Sequence, residues 1–79
     1  MIKLNILNIK RFLQVVNECK GEVYVVHPDG YRENINKRER VQDRLRIKYK
    51  ENKNYLPLAL DFADYRDYLS VVYYAVGDC

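Results

Sequence analysis

Between Asn8 and Gly21 the chain leaves little choice of structure. Ile9, Phe12, Leu13, Val16 and Cys19 fall at helical intervals on one face, with Lys10, Arg11, Gln14, Asn17 and Glu18 turned away. Asn8 offers a side-chain oxygen to the unpaired amides of the first turn. Lys20 suits the negative end of the dipole, and Gly21 can take a left-handed stop. One amphipathic helix cannot cover its own apolar face, so the rest of this 79-residue chain must supply the other side of the core. A second core would not fit, and residues 1–79 read as a single domain.

The flanking segments read as strands. Ile2, Leu4 and Ile6 alternate ahead of the helix, and Glu22 to Val26 is β-branched and aromatic. His27-Pro28-Asp29-Gly30 is turn chemistry, with Tyr31 to Ile35 returning as a polar hairpin partner. Leu56, Leu58, Leu60 and Phe62 alternate as a further strand. Its Pro57 cannot donate to a ladder, which calls for an edge position or an outward-facing amide.

Two segments admit rival readings. Asn36 and Glu39 have capping-box spacing, and a helix from Lys37 to about Asn52 lines up Val41, Leu45 and Tyr49. Leu45, Ile47 and Tyr49 also alternate as a strand would; the good cap and the lack of Gly or Pro favour the helix. Asp64 can cap a last helix in which Tyr65, Tyr68, Leu69, Val72, Ala75 and Val76 share a face, although Val71 to Tyr74 has high β-propensity. The resulting β-α-β-β-α-β-α order predicts an α+β domain. It fits the split βαβ, or ferredoxin-like, plan, or a three-stranded meander backed by helices. The ferredoxin-like plan puts the fourth strand at an edge, where Pro57 is tolerated. It also makes the third strand central, which the polar Tyr31–Ile35 segment resists.

Charge is unevenly spread. Residues 37–53 hold eight basic and three acidic side chains, while the remainder hold six basic and eight acidic. On the predicted helix Lys37, Arg40, Arg44 and Lys48 form one strip, with Ile47 at its outer border. Like charges four residues apart weaken a helix by about 0.2–0.5 kcal/mol per pair, so such a row suggests an anionic partner, nucleic acid included. Docking of the acidic residues Asp61, Asp64 and Asp67 on the strip is the competing explanation, as is simple solvation. The other excess is tyrosine, eight in all. Tyr65, Tyr73 and Tyr74 offer amphipathic contact area to a protein partner or a second copy of the chain.

Catalytic and metal chemistry find little support. His27 stands alone in a turn, and no CxxC or HxxxH spacing exists. Cys19 falls on an apolar helix face, where a thiol acts as a small hydrophobe, and Cys79 has no activating base near it in sequence. Asp61, Asp64 and Asp67 lack EF-hand spacing, and the glycines form no phosphate loop. We therefore expect a non-enzymatic protein without cofactor or metal. Asn5 and Asn8 break the N-terminal apolar run, so neither a signal peptide nor a membrane span is expected there. Two cysteines are no disulfide framework, and a reducing cytoplasmic setting is expected.

The run from HPDGYRENINK through ENKNYLPLALDF to the final GDC resembles short uncharacterised proteins of integrative and conjugative elements in Gram-positive bacteria. The resemblance spans nearly the whole chain. It implies an accessory binding protein of a mobile element and carries no catalytic residues.

Overall fold

The computed structural model describes residues 1–78. Its elements are β1 (Ile2–Ile6), α1 (Ile9–Glu18), β2 (Val23–Val26), β3 (Arg32–Asn34), α2 (Glu39–Glu51), β4 (Leu56–Phe62) and α3 (Tyr65–Asp78). The β-α-β-β-α-β-α order and the α+β class are those read from the sequence. The four strands form one sheet in the order β1-β4-β2-β3, with every neighbouring pair antiparallel. β1 and β2 therefore run parallel on either side of β4, a βαβ unit split by the last strand.

Strand placement differs from the ferredoxin-like expectation, since β4 is central and β3 lies at an edge. The residues explain the exchange. Arg32, Glu33 and Asn34 have no apolar alternation to bury, and an edge demands none. The seven residues of β4 carry the apolar side chains that a central strand needs. Pro57 survives in it because β2 pairs only with Leu60–Phe62; at Pro57 the sole partner strand is β1, through Asn5. The other flank is open there, and a missing N–H costs nothing on an open flank.

Register puts Ile2 opposite Leu60, Leu4 opposite Leu58 and Ile6 opposite Leu56, with Val23 and Val25 opposite Phe62 and Leu60. These side chains meet Phe12, Leu13 and Val16 of α1 in one core that Ile35, Leu45, Val71 and Tyr74 complete. α1 touches both α2 and α3. The opposite face of the sheet shows Lys3, Asn5, Arg32 and Pro57 to solvent. Full burial of a side chain such as Phe12 or Leu13 is worth about 1.5–3 kcal/mol.

Turns and caps follow local chemistry with three exceptions. Asn8 accepts from the Arg11 amide at 3.1 Å. At the hairpin, Gly30 has φ +90° and donates to the His27 carbonyl at 2.8 Å, while Asp29 Oδ1 accepts from the Tyr31 amide. α1 does not end in a left-handed glycine: Cys19 turns the chain out in extended conformation. Gly21 serves close approach instead, because a Cβ there would lie 3.4 Å from both Asp64 Cβ and Asp67 Oδ2. The capping box also fails to form. α2 begins at Glu39 with no side-chain cap, and Asn36 is buried, its amide nitrogen donating to the Cys19 and Gly21 carbonyls at 3.0 and 2.7 Å. A side chain tied to the α1–β2 connection cannot also cap α2. Finally, α3 is a helix as expected, but its buried line runs through Asp67, Val71 and Tyr74.

Candidate functional site

Asp67 sets the orientation of α3. Lys20 and Gly21 follow the end of α1 and precede β2, so their backbone N–H groups lie outside helix and strand and need acceptors from elsewhere. Asp67 Oδ1 accepts from the Lys20 amide at 3.1 Å and Oδ2 from the Gly21 amide at 2.8 Å. Its residue is 5% exposed. Once position 67 faces inward, Val71 and Tyr74 follow at helical spacing and are buried. Tyr74 is thus not an interface residue, contrary to expectation. Its ring lies 6.1 Å from that of Phe12, and its hydroxyl donates to the Asn8 carbonyl at 3.2 Å.

The same rotation turns apolar side chains outward. Tyr65, Leu69, Tyr73 and Val76 are 70, 37, 78 and 85% exposed along one side of α3. Tyr65 and Tyr73 are thus both open to solvent. Leu69 and Val76, grouped with Tyr65 on one face by periodicity, are exposed with them. At the start of the stripe Tyr65 stacks on Tyr68 with centroids 5.7 Å apart, and Tyr68 meets Phe62 edge-on at 5.8 Å. These rings, with Met1, Asp61 and Ala63, bound a hollow of ≈ 520 Å³. From Tyr68 to Gly77 the helix carries no charged residue.

The basic strip is less coherent than its sequence. Lys37 precedes the helix, with φ 58° and its amide donating to Asn17 Oδ1 at 3.2 Å. Arg40, Arg44 and Lys48 do lie on α2, but Arg44 pairs with Glu33 of β3 at 2.5 Å. Arg40 and Lys48 have no ion pair among the described residues, and Ile47 beside them is 57% exposed. No cation of the strip reaches the three acids proposed to neutralise it. Asp61 pairs with Arg32 at 2.5 Å, Asp64 with Arg66 at 3.1 Å, and Asp67 is occupied by backbone. Glu33 escaped the sequence reading because its partners come from a different element. Burial pushes its carboxyl up, but hydrogen bonds from Arg44 and His27 outweigh that and hold it below the ordinary value of 4.5. Arg66 does the same for Asp64.

Reactive groups are held quiet. Cys19 is buried and donates to the Val15 carbonyl at 3.4 Å. Burial first, then the Asp67 carboxylate, pushes its thiol up to about 11, so almost no thiolate exists near neutrality. Cys79 lies outside the described residues. His27 stacks on Tyr31 at 5.4 Å and stands 3.3 Å from Glu33, a structural pairing at the hairpin. Among the described residues no group of three or more His, Cys, Asp or Glu side chains converges as metal ligands would, and no helix is long and apolar enough to cross a membrane. Comparison with protein-family models, with curated proteins and with solved structures returned no match.

Proposed function

We propose that this chain is a non-enzymatic accessory module that works by docking another protein chain on the outer face of α3. The single observation that carries the reading is the uncharged stripe of Tyr65, Leu69, Tyr73 and Val76. Contiguous exposed apolar surface marks interaction sites in folded proteins, and tyrosine is favoured there for its rigid, amphipathic area. Such surface is costly to leave in water, and nothing in the core requires it: replacing these four residues by polar ones would leave the buried line of α3 unchanged. The resemblance to proteins of integrative and conjugative elements supplies the setting, a cytoplasmic accessory role in a mobile element. Nucleic acid along α2 is the weaker reading, because Lys37 has left the strip and Arg44 is already paired.

The test is a photo-crosslinker placed at position 73 and, as a control, at exposed Arg46 of α2, with the full chain expressed in a bacterial host. Adducts from position 73 of defined mass, absent from position 46, are expected. No adduct from position 73 would overturn the assignment of α3 as the docking face.

A further inference from the structure

Resting on that reading of α3, we propose that the occupant is a second copy of this chain. The two α3 helices pair antiparallel about a two-fold axis at Leu69, with Tyr73 of each copy seated in the hollow bounded by Met1, Phe62, Tyr65 and Tyr68 of the other.

Spacing is the first argument. Tyr65 and Tyr73 lie four residues before and four after Leu69, on the same stripe. At about 1.5 Å per residue each stands about 6 Å from the axis. Antiparallel pairing centred on residue 69 sets position 65 of one copy against position 73 of the other, twice. That reciprocity is what an isologous interface demands. Shape is the second. Tyr73 projects, being 78% exposed, whereas Leu69 at 37% is recessed enough for the two helices to approach. The ≈ 520 Å³ hollow lies at the other end of the stripe, walled by Phe62 and Tyr68 with their rings nearly perpendicular at 76°. An incoming ring thus finds both a face and an edge to meet.

Electrostatics favour an uncharged partner surface. A partner with a charged helix would need answering charges along the stripe. From Tyr65 to Gly77 the charged residues are Arg66, which is paired with Asp64, and Asp67, which is turned inward. A second copy brings an equally uncharged surface, and antiparallel helices set opposite dipole ends side by side. Area then fixes the strength. Two tyrosines of roughly 200 Å² each, mostly open, give roughly 300 Å². Leu69, Val76 and Met1 raise this to on the order of 500 Å² per copy, short of the roughly 800 Å² per partner of a standard interface. The dimer is therefore weak and forms only at high concentration.

Sedimentation of the full chain between about 10 µM and about 1 mM should show a reversible monomer–dimer equilibrium with its midpoint in that range. Tyr73→Ala should weaken it at least tenfold with an unchanged circular dichroism spectrum. Tyr65→Lys or Tyr73→Glu alone should do the same, and the double variant, which sets Lys against Glu twice, should recover dimer. In a Cys79→Ser background Leu69→Cys should cross-link on oxidation, while Arg66→Cys should not. A monomer throughout, or a dimer indifferent to changes at 65 and 73, overturns the proposal. A monomer whose position 73 still cross-links to a different protein defeats the second-copy assignment and leaves the docking face standing. A monomer with no adduct defeats both.

Discussion

Replacing Asp67 by alanine tests the claim that one buried carboxylate orients α3. The substitution removes two hydrogen bonds, to the Lys20 amide at 3.1 Å and the Gly21 amide at 2.8 Å. Hydrogen bonds to a charged group contribute about 1.5–3 kcal/mol each. Lys20 is exposed, so water can replace part of its bond, and Gly21 is half-buried with the shorter contact. Relief of carboxylate burial offsets some of the loss. The net destabilisation should be about 3 kcal/mol, a large share of the roughly 4–12 kcal/mol usual for a domain of this size. Asp67→Asn keeps one acceptor but turns an amide N–H₂ toward the second backbone donor, and should lose about half as much. Urea unfolding followed by circular dichroism measures both. As a control, Asp43→Ala removes only an exposed pair with Arg46 and should stay within about 0.5 kcal/mol. If Asp67→Ala unfolds no more readily than Asp43→Ala, the helix is oriented by something else and the account of the outward stripe fails with it.

Other outcomes follow from the same structure. Glu33 has a folded pKa below its unfolded one, so its contribution is present above about 4.5 and is lost as pH falls through the lowered value; Glu33→Gln should flatten the acid limb of the stability profile. Cys19 has a raised pKa, so its contribution is present below 9.0 and disappears as pH climbs toward about 11. In a Cys79→Ser background Cys19 should resist alkylation at pH 8 until urea unfolds the chain, and rapid labelling of the folded protein would refute its burial. Lys53 has φ 60° at the end of α2, where Asn54 N donates to the Tyr49 carbonyl and Lys53 N to that of Lys50, the pattern of a helix stop that suits glycine. Lys53→Gly should raise stability by about 0.5–1 kcal/mol in urea titration. With only Arg40 and Lys48 left unpaired on the strip, retardation of DNA or RNA in a gel should be weak and vanish at moderate salt; tight, salt-resistant binding lost in Arg40→Glu/Lys48→Glu would return α2 to the centre of the function.

What the sequence disclosed depended on whether a residue's role was local. α1 and the 27–30 turn were readable because cap, apolar face and glycine all act within a few positions. The α3 helix was readable, but its phase was not. Apolar residues surround it nearly completely, and the choice of inner face fell to Asp67, whose partners lie 46 and 47 positions away. An acid in the first turn of a largely apolar helix was the available signal, and helix capping offered a plausible local use for it. Asn36 misled in the same manner, its cap spacing to Glu39 being overridden by the distant Cys19 and Gly21 carbonyls. The polarity of residues 32–34, by contrast, did signal that β3 would not lie centrally, and the conflict it raised with the ferredoxin-like plan was real.

Of the two inner strands of the sheet, β4 is also the last of the four along the chain. β1 and the β2–β3 hairpin share no ladder; each acquires its neighbour only through Leu56–Phe62. A nascent chain that stops short of Leu56 holds two pieces of sheet with nothing to join them, and their apolar sides have no completed core to enter. Closure of the sheet must wait for Leu56–Phe62, so its formation rests on pairings that are distant in sequence rather than on neighbouring strands.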